Sequence, residues 1–252
     1  TTKLKELEAQ GLKPATSPAD VGRQCDLVIT SLPTPKAFHA VMSGPKGLTE
    51  VGRPIVVADT CTLALSDKEQ AYEALTAAGV TLLDCPVSGT GAQAAKGDLV
   101  FFASGDKASY DRMRPALLAM GRVAHHLGVF GNGSRMKYVA NLLVAIHNVS
   151  TAEAMAFGMK AGLNMEQVLE VIGKGAAQSW QMDNRGKTMV ADKFDFGFAV
   201  DWMRKDLGLV FDEAKRNGAV LPVTMLVDQF YGDVQKLGGK RWDTSSLIKR
   251  LR

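Results

Sequence analysis

Three short stretches of this chain carry residue types that together could bind a small acid and move a proton on it. Asp84-Cys85-Pro86-Val87-Ser88-Gly89-Thr90 reads as a strand entering a glycine turn. Such a turn can present backbone N–H groups to a carboxylate. Gly131-Asn132-Gly133-Ser134-Arg135-Met136-Lys137 places a lysine on the first turns of a long apolar helix, and Asn141, four residues on, shares its face. Lys205-Asp206 puts a second lysine on a later helix. At the edge of the apolar run Tyr138, Val139, Leu142 and Leu143, Lys137 loses hydration, which lowers its pKa and suits it to general acid–base work. Taken singly, each stretch has an ordinary explanation: a turn after a strand, a solvated helix lysine, a surface ion pair of little weight.

The elements that must position these residues change character near residue 130. Before it, short β-branched runs alternate with helical patterns. The runs are Asp26–Leu32, Ile55–Asp59, Val80–Asp84, Leu99–Ala103 and Arg122–Leu127. Unbroken apolar strands between helices predict a largely parallel, covered sheet of the doubly wound α/β class. Helix starts are expected at Ser17-Pro18, at Ser66 with Glu69 as a capping box, and at Asp106, whose helix runs through Met120. After Gly131 the strand signals vanish. Helices are expected over about 134–161, 165–172, 198–216 and 222–237, with Phe198 and Trp202 forming a buried edge. The chain therefore divides into an α/β domain, 1–129, and an all-α domain, 130–252.

Composition narrows the classes. The formal charge of +4 is spread without a basic run, so neither nucleic-acid binding nor a basic tail is indicated. The longest apolar run, Tyr138 to Ile146, is too short to span a membrane. Cys25, Cys61 and Cys85 make no close pair, which argues against a disulfide framework or a zinc site. Each reads as a small buried apolar residue, and a reducing, cytoplasmic location follows. No metal is expected. His125 and His126 stand side by side on a strand and point to opposite faces, so they cannot act as a pair.

In this order the three stretches resemble the β-hydroxyacid dehydrogenase family, relatives of 3-hydroxyisobutyrate dehydrogenase. The run from Asp84 to Leu99 is similar to the family's substrate-binding stretch; Ser88 and Gly89 match, and Thr90 stands where a second glycine is usual. A β-branched residue suits positive φ poorly, so the turn is expected to differ locally and Thr90 to add a hydroxyl contact. Gly128 to Lys137 matches the catalytic-lysine signature G-x-x-G-x-G-x-x-x-K glycine by glycine. The resemblance implies that Lys137 is the general acid/base of an NAD(P)-dependent oxidation of a small β-hydroxy acid, or of the reverse reduction of its semialdehyde. Asn141 would orient the substrate, whose carboxylate Ser88, Gly89 and Thr90 would hold. Ala140 stands where a further asparagine is often found. The cofactor, NAD or NADP, would meet Leu32 and Pro33 after one strand, Thr62 in the loop Asp59-Thr60-Cys61-Thr62, and Lys205; Asp206 would be structural.

The resemblance further implies an incomplete Rossmann-type domain followed by a helical domain like the C-terminal domain of 6-phosphogluconate dehydrogenase, in a homo-oligomer, dimer or tetramer. No G-x-G-x-x-G occurs, and the family pattern would place about thirty more residues, one strand-turn-helix unit, before Thr1. The chain is thus expected to be N-terminally incomplete. Two other readings stay open: a non-catalytic fragment or scaffold keeping the fold, and an imine-reducing relative. Lys137 and Asn141 speak against the first. The lysine itself, usually replaced in imine reducers, speaks against the second.

Overall fold

The computed structural model describes residues 2–251, so the outermost residues of the two expected domains, 1 and 252, lie outside it. The first half runs α1 (Thr2–Glu8), α2 (Pro18–Gln24), β1 (Leu27–Thr30), α3 (Pro35–Ser43), β2 (Val56–Asp59), α4 (Leu65–Ala77), β3 (Thr81–Asp84), β4 (Val87–Ser88), α5 (Gly91–Ala94), β5 (Leu99–Ala103), α6 (Lys107–Met120) and β6 (Gly121–His126). Then come α7 (Asn132–Lys160), α8 (Met165–Ile172), α9 (Trp180–Val190), α10 (Val200–Asn217), α11 (Pro222–Lys236) and a closing 3-10 stretch, Thr244–Leu251. These elements form two compact units. One takes the chain up to Ser88 together with Gly97–Ser134; the other takes Gly89–Lys96 and everything from Arg135.

In the first unit β1, β2 and β3 pair in parallel, with Thr30 opposite Asp59 and Asp59 opposite Asp84 at their carboxyl ends. Successive side chains leave opposite faces of a strand. Val28, Val57 and Leu82 accordingly pack with Phe38 and Met42 of α3 and with Ala71 and Leu75 of α4. Their neighbours Val56, Ala58 and Leu83 pack with Tyr110, Met113 and Leu117 of α6. Both faces are covered, as unbroken apolar strands require. The second sheet departs from the parallel expectation. β4, only two residues long and unannounced by the sequence, pairs antiparallel with β5, which pairs in parallel with β6. An antiparallel bridge, Asp84 with Ser104, ties the end of β3 to the exit of β5.

Local capping decides the helix starts. Ser17 and Asp106 cap α2 and α6, accepting from Asp20 N and Ser109 N. Ser66 does not cap α4. That helix already begins at Leu65, with Ala64 at the cap position, because Leu65 is drawn into the core and leaves Ser66 inside the first turn. Cys25 is also corrected: it is exposed just past the end of α2, whereas Cys61 and Cys85 are buried, and all three thiols are free.

The second unit closes around Ala145, Ala152 and Met155 of α7, Met189 of α9, Met203 and Leu207 of α10, and Val227 and Tyr231 of α11. By length and apolarity alone α7 could cross a membrane. Its buried seam is that of a core helix instead: Asn141, Asn148 and Thr151 are all buried, and Asn148 Nδ2 donates to Thr244 Oγ1 at 3.0 Å. Val139 and Leu143, the apolar face expected from sequence, stand outward at 51% and 50% exposure. The expected Phe198–Trp202 edge does not form. Phe198 N donates to Asp243 Oδ2 at 2.9 Å, which keeps the chain extended until α10 begins at Val200, and Trp202 is exposed. The buried face of α10 is Val200, Met203, Asp206, Leu207, Val210 and Glu213.

Candidate active site

The start of α7 explains the three glycines before Lys137, which meet two different demands. Gly128 and Gly131 adopt φ of 85° and 92°, a region that favours glycine. Gly133 is held by space: a Cβ there would lie 2.2 Å from the Phe102 carbonyl oxygen and 2.6 Å from that of Asp84. Bare backbone lets the helix start approach the sheet. Gly133 N donates to Ser104 Oγ at 2.9 Å, and Ser134 N to Asp84 Oδ2 at 2.7 Å. A carboxylate at a helix N-terminus satisfies orphan N–H groups and complements the helix dipole. Ser134 Oγ adds a bond to Asp84 Oδ1 at 2.8 Å.

Beneath those contacts lies a charged cluster that sequence reasoning missed. Lys68 Nζ, 1% exposed, sits 2.7 Å from Asp84 Oδ1 and 3.0 Å from Asp59 Oδ2, both carboxylates fully buried. Thr30 Oγ1 donates to Asp59 Oδ1 at 2.8 Å. Burial opposes the ammonium, but the two carboxylates outweigh it and hold Lys68 above its ordinary pKa. In S-D-K-E-Q a lysine looks like a solvated helix residue; the signal that could have found it is two strand-terminal aspartates needing a counter-charge.

In the second unit, α7 and α10 run antiparallel, Arg135 Nε meeting Glu213 Oε1 at 3.0 Å and Asn141 Nδ2 meeting Asp206 Oδ2 at 2.8 Å. Lys205 Nζ lies 2.8 Å from Asp206 Oδ1. Lys137 is buried, at 9% exposure, on the face that carries Asn141. Burial lowers its pKa and Lys205 adds to the effect, while Asp206 opposes it. Burial in turn raises the pKa of Asp206, against the pull of Lys205, Lys137 and Asn141. Asn141 and Lys205 therefore share one acidic partner, whose charge also acts on Lys137. Asp206, expected only as a structural residue, stands at the centre.

The other expected residues fall as follows. Ser88 ends β4 and is half-buried; Gly89 takes the positive φ, 145°, and Thr90 an ordinary φ of −91° as the cap of α5. Thr90 thus needs no glycine-like backbone, and its N–H is engaged by Gln93 Oε1 at 3.0 Å. Leu32, Pro33 and Thr62 lie in loops leaving the carboxyl ends of β1 and β2, where ligands of such sheets bind. Leu32 N donates to Cys61 Sγ at 3.0 Å, joining those loops. Burial first, then Asp59, pushes the Cys61 thiol up to about 12, so it serves as an un-ionised acceptor. His126 Nε2 meets the Gly105 carbonyl at 2.8 Å, and His125 is exposed. Among the described residues no group of His, Cys, Asp and Glu could hold a metal.

Comparison with known proteins identifies the family of both halves of the chain. Residues 1–129 match the family described as the NAD binding domain of 6-phosphogluconate dehydrogenase. Residues 131–251 match that described as NAD-binding of NADP-dependent 3-hydroxyisobutyrate dehydrogenase. An uncharacterized oxidoreductase of Shewanella frigidimarina is 43% identical over 97% of this chain and 84% of its own length. The 2-(hydroxymethyl)glutarate dehydrogenase of Eubacterium barkeri is 31% identical, over 96% of this chain and 81% of its own. The solved structure of Mycobacterium tuberculosis 3-hydroxyisobutyrate dehydrogenase with L-serine gives a TM-score of 0.84 at 27% identity, covering 94% of this chain and 83% of that one. Of the residues expected at the cofactor in the loops after β1 and β2, Pro33 is exposed and Leu32 and Thr62 are half-buried, so each offers surface to a dinucleotide.

Proposed function

We propose a reaction for this protein from one premise: the chain belongs to the β-hydroxyacid dehydrogenase family, the NAD(P)-dependent relatives of 3-hydroxyisobutyrate dehydrogenase. The substrate is a small carboxylic acid with a hydroxyl on its β-carbon. Lys137 takes the hydroxyl proton onto Nζ in the oxidative direction and returns it to the alkoxide in reduction. The observation that carries this reading is the burial of Lys137 beside Asn141 on one face of α7, where loss of hydration lowers its pKa from the ordinary lysine value and favours the uncharged amine a general base needs. Asn141, its amide oriented by Asp206, holds the reacting oxygen. Ser88 and Gly89 hold the carboxylate, with Thr90 shaping the turn. Leu32, Pro33, Thr62 and Lys205 hold the cofactor. When bound, the nicotinamide supplies the two-electron acceptor for the carbinol hydrogen.

The names of the relatives bound the substrate class. 3-Hydroxyisobutyrate, 2-(hydroxymethyl)glutarate and L-threonate each carry a carboxylate with a hydroxyl on the β-carbon and differ in the remaining substituents. We therefore favour a small β-hydroxy carboxylic acid, oxidised to the matching carbonyl compound. Gln178 and Trp180, at the start of α9, are candidates to meet the variable substituent; Trp180 is 45% exposed. A homo-oligomer and a cytoplasmic setting are carried over from the family and from the three free thiols.

The test is Lys137→Ala. We expect kcat to fall about 10²–10⁴-fold, the share of a positioned acid–base group. A loss under about threefold removes Lys137 from the mechanism and leaves the scaffold reading in its place.

A further inference from the structure

Four chain segments proposed to form the site leave from one buried charged cluster. Thr30 ends β1 and leads to Leu32 and Pro33; Asp59 ends β2 and leads to Thr62; Asp84 ends β3 and leads to Ser88; Ser134, on the first turn of α7, leads to Lys137. Their side chains converge. Thr30 Oγ1 bonds Asp59, Lys68 Nζ bridges Asp59 and Asp84, and Ser134 bonds Asp84 through both N and Oγ. Every member is nearly or fully buried, Thr30 being the most exposed at 6%. Water therefore does little to screen or replace these bonds.

We propose that Lys68 is a positioning residue for catalysis, acting through Asp84 on the first turn of α7 and so on the placement of Lys137. This rests on the reading of Lys137 given above. The reasoning is one of charge. The cluster carries one ammonium and two carboxylates, and its excess negative charge faces the positive end of α7. Remove the ammonium and the two carboxylates, in register on adjacent parallel strands, repel at close range with no solvent to separate them. Asp84 accepts from Ser134 N, Ser134 Oγ and Ser104 Oγ, so any displacement of its carboxylate is passed directly to the first turn of α7. Asp59 accepts instead from Thr30 Oγ1, at the end of β1. The remaining ionisable neighbours, the Cys61 and Cys85 thiols, have pKa values pushed up to about 12 by burial and supply no compensating charge.

The test compares Lys68→Met with the double variant Lys68→Met/Asp59→Asn, which restores the net charge of the cluster without restoring the lysine. Two readouts are taken well below the unfolding midpoint: amide hydrogen exchange over residues 131–136, and kcat with KM for acid and cofactor. We expect Lys68→Met to lose at least tenfold of protection in that segment. Its kcat should fall at least tenfold, with smaller changes in KM. The double variant should recover protection and bring kcat to within threefold of wild type. A lysine that only stabilises the fold would lower the midpoint and leave local exchange and the kcat-to-KM split unmoved; that result overturns the proposal. A single variant that will not fold beside a double variant that does also supports it, and a double variant that fails to fold overturns it. Should the wild type oxidise no hydroxy acid, the proposed function fails, while exchange still reports whether Lys68 orders the start of α7.

Discussion

Gly133→Ala puts a single methyl group where the start of α7 meets the sheet. Its nearest neighbours would be the Phe102 carbonyl oxygen at 2.2 Å and the Asp84 carbonyl oxygen at 2.6 Å, where ordinary contact begins at 3.4 Å. The shortfall is about 1.2 Å against backbone. Neither carbonyl can retreat cheaply: the Phe102 peptide lies in β5, and the Asp84 carbonyl accepts from Ser104 N at 2.7 Å. The helix must give way, and with it the bonds from Gly133 N to Ser104 and from Ser134 N to Asp84. Overpacking of this kind costs about 1–3 kcal/mol in stability. Lys137 rides four residues on in the same helix, so a displacement of about 1 Å should lower kcat roughly 10²-fold. The assay is steady-state oxidation at saturating cofactor, with a thermal midpoint on the same samples. Gly128→Asn is the control. It keeps a left-handed backbone that asparagine tolerates, and the nearest atom to its Cβ is 3.6 Å away, so kcat should stay within about threefold. If Gly133→Ala is as active and as stable as Gly128→Asn, the close approach of α7 to the sheet is not what places the lysine.

Two further substitutions probe the site from other sides. Asp206→Asn removes the negative charge that raises the pKa of Lys137, leaving burial and Lys205 to lower it further, so the rising limb of the kcat/KM–pH profile for oxidation should move to lower pH. A limb that stays put or moves up would show that Asp206 does not act on Lys137. Ser88→Ala deletes a hydroxyl assigned to a charge-assisted bond worth about 1.5–3 kcal/mol, so KM for the acid should rise tenfold or more with kcat nearly held. An unchanged KM puts the carboxylate elsewhere.

What the sequence makes legible here are features written in runs. The apolar strands ending at Asp59 and Asp84 sit within a residue of where their patterns put them, and Ser17-Pro18 and Asp106 act as caps. Features made by tertiary contact are not written that way. β4 is two residues long and exists because Val87 and Ser88 meet Phe101 and Val100, a pairing no local pattern declares. α9 is hidden by Asp183, Asn184 and Gly186 in its middle; it is fixed by the Ser179 cap and by Arg185, which reaches Asp243 at 3.1 Å. Among the residues proposed for the site, Lys137 and Asn141 stand out in the sequence because glycine spacing and helical period both mark them. Lys68 does not, because burial alone separates it from the surface charges it resembles, and Asp206 reads from sequence only as a structural residue.

The thiols described above give the protein one addressable position. Cys61 and Cys85 are enclosed, and their thiols, pushed up to about 12, offer almost no thiolate to an electrophile. Cys25 is exposed just past the end of α2, in the same unit as the loops after β1 and β2. A maleimide or spin label offered to the native fold should therefore attach there alone. The unmodified sequence already carries a single-site handle for fluorescence or distance measurements, with no cysteine to be removed first.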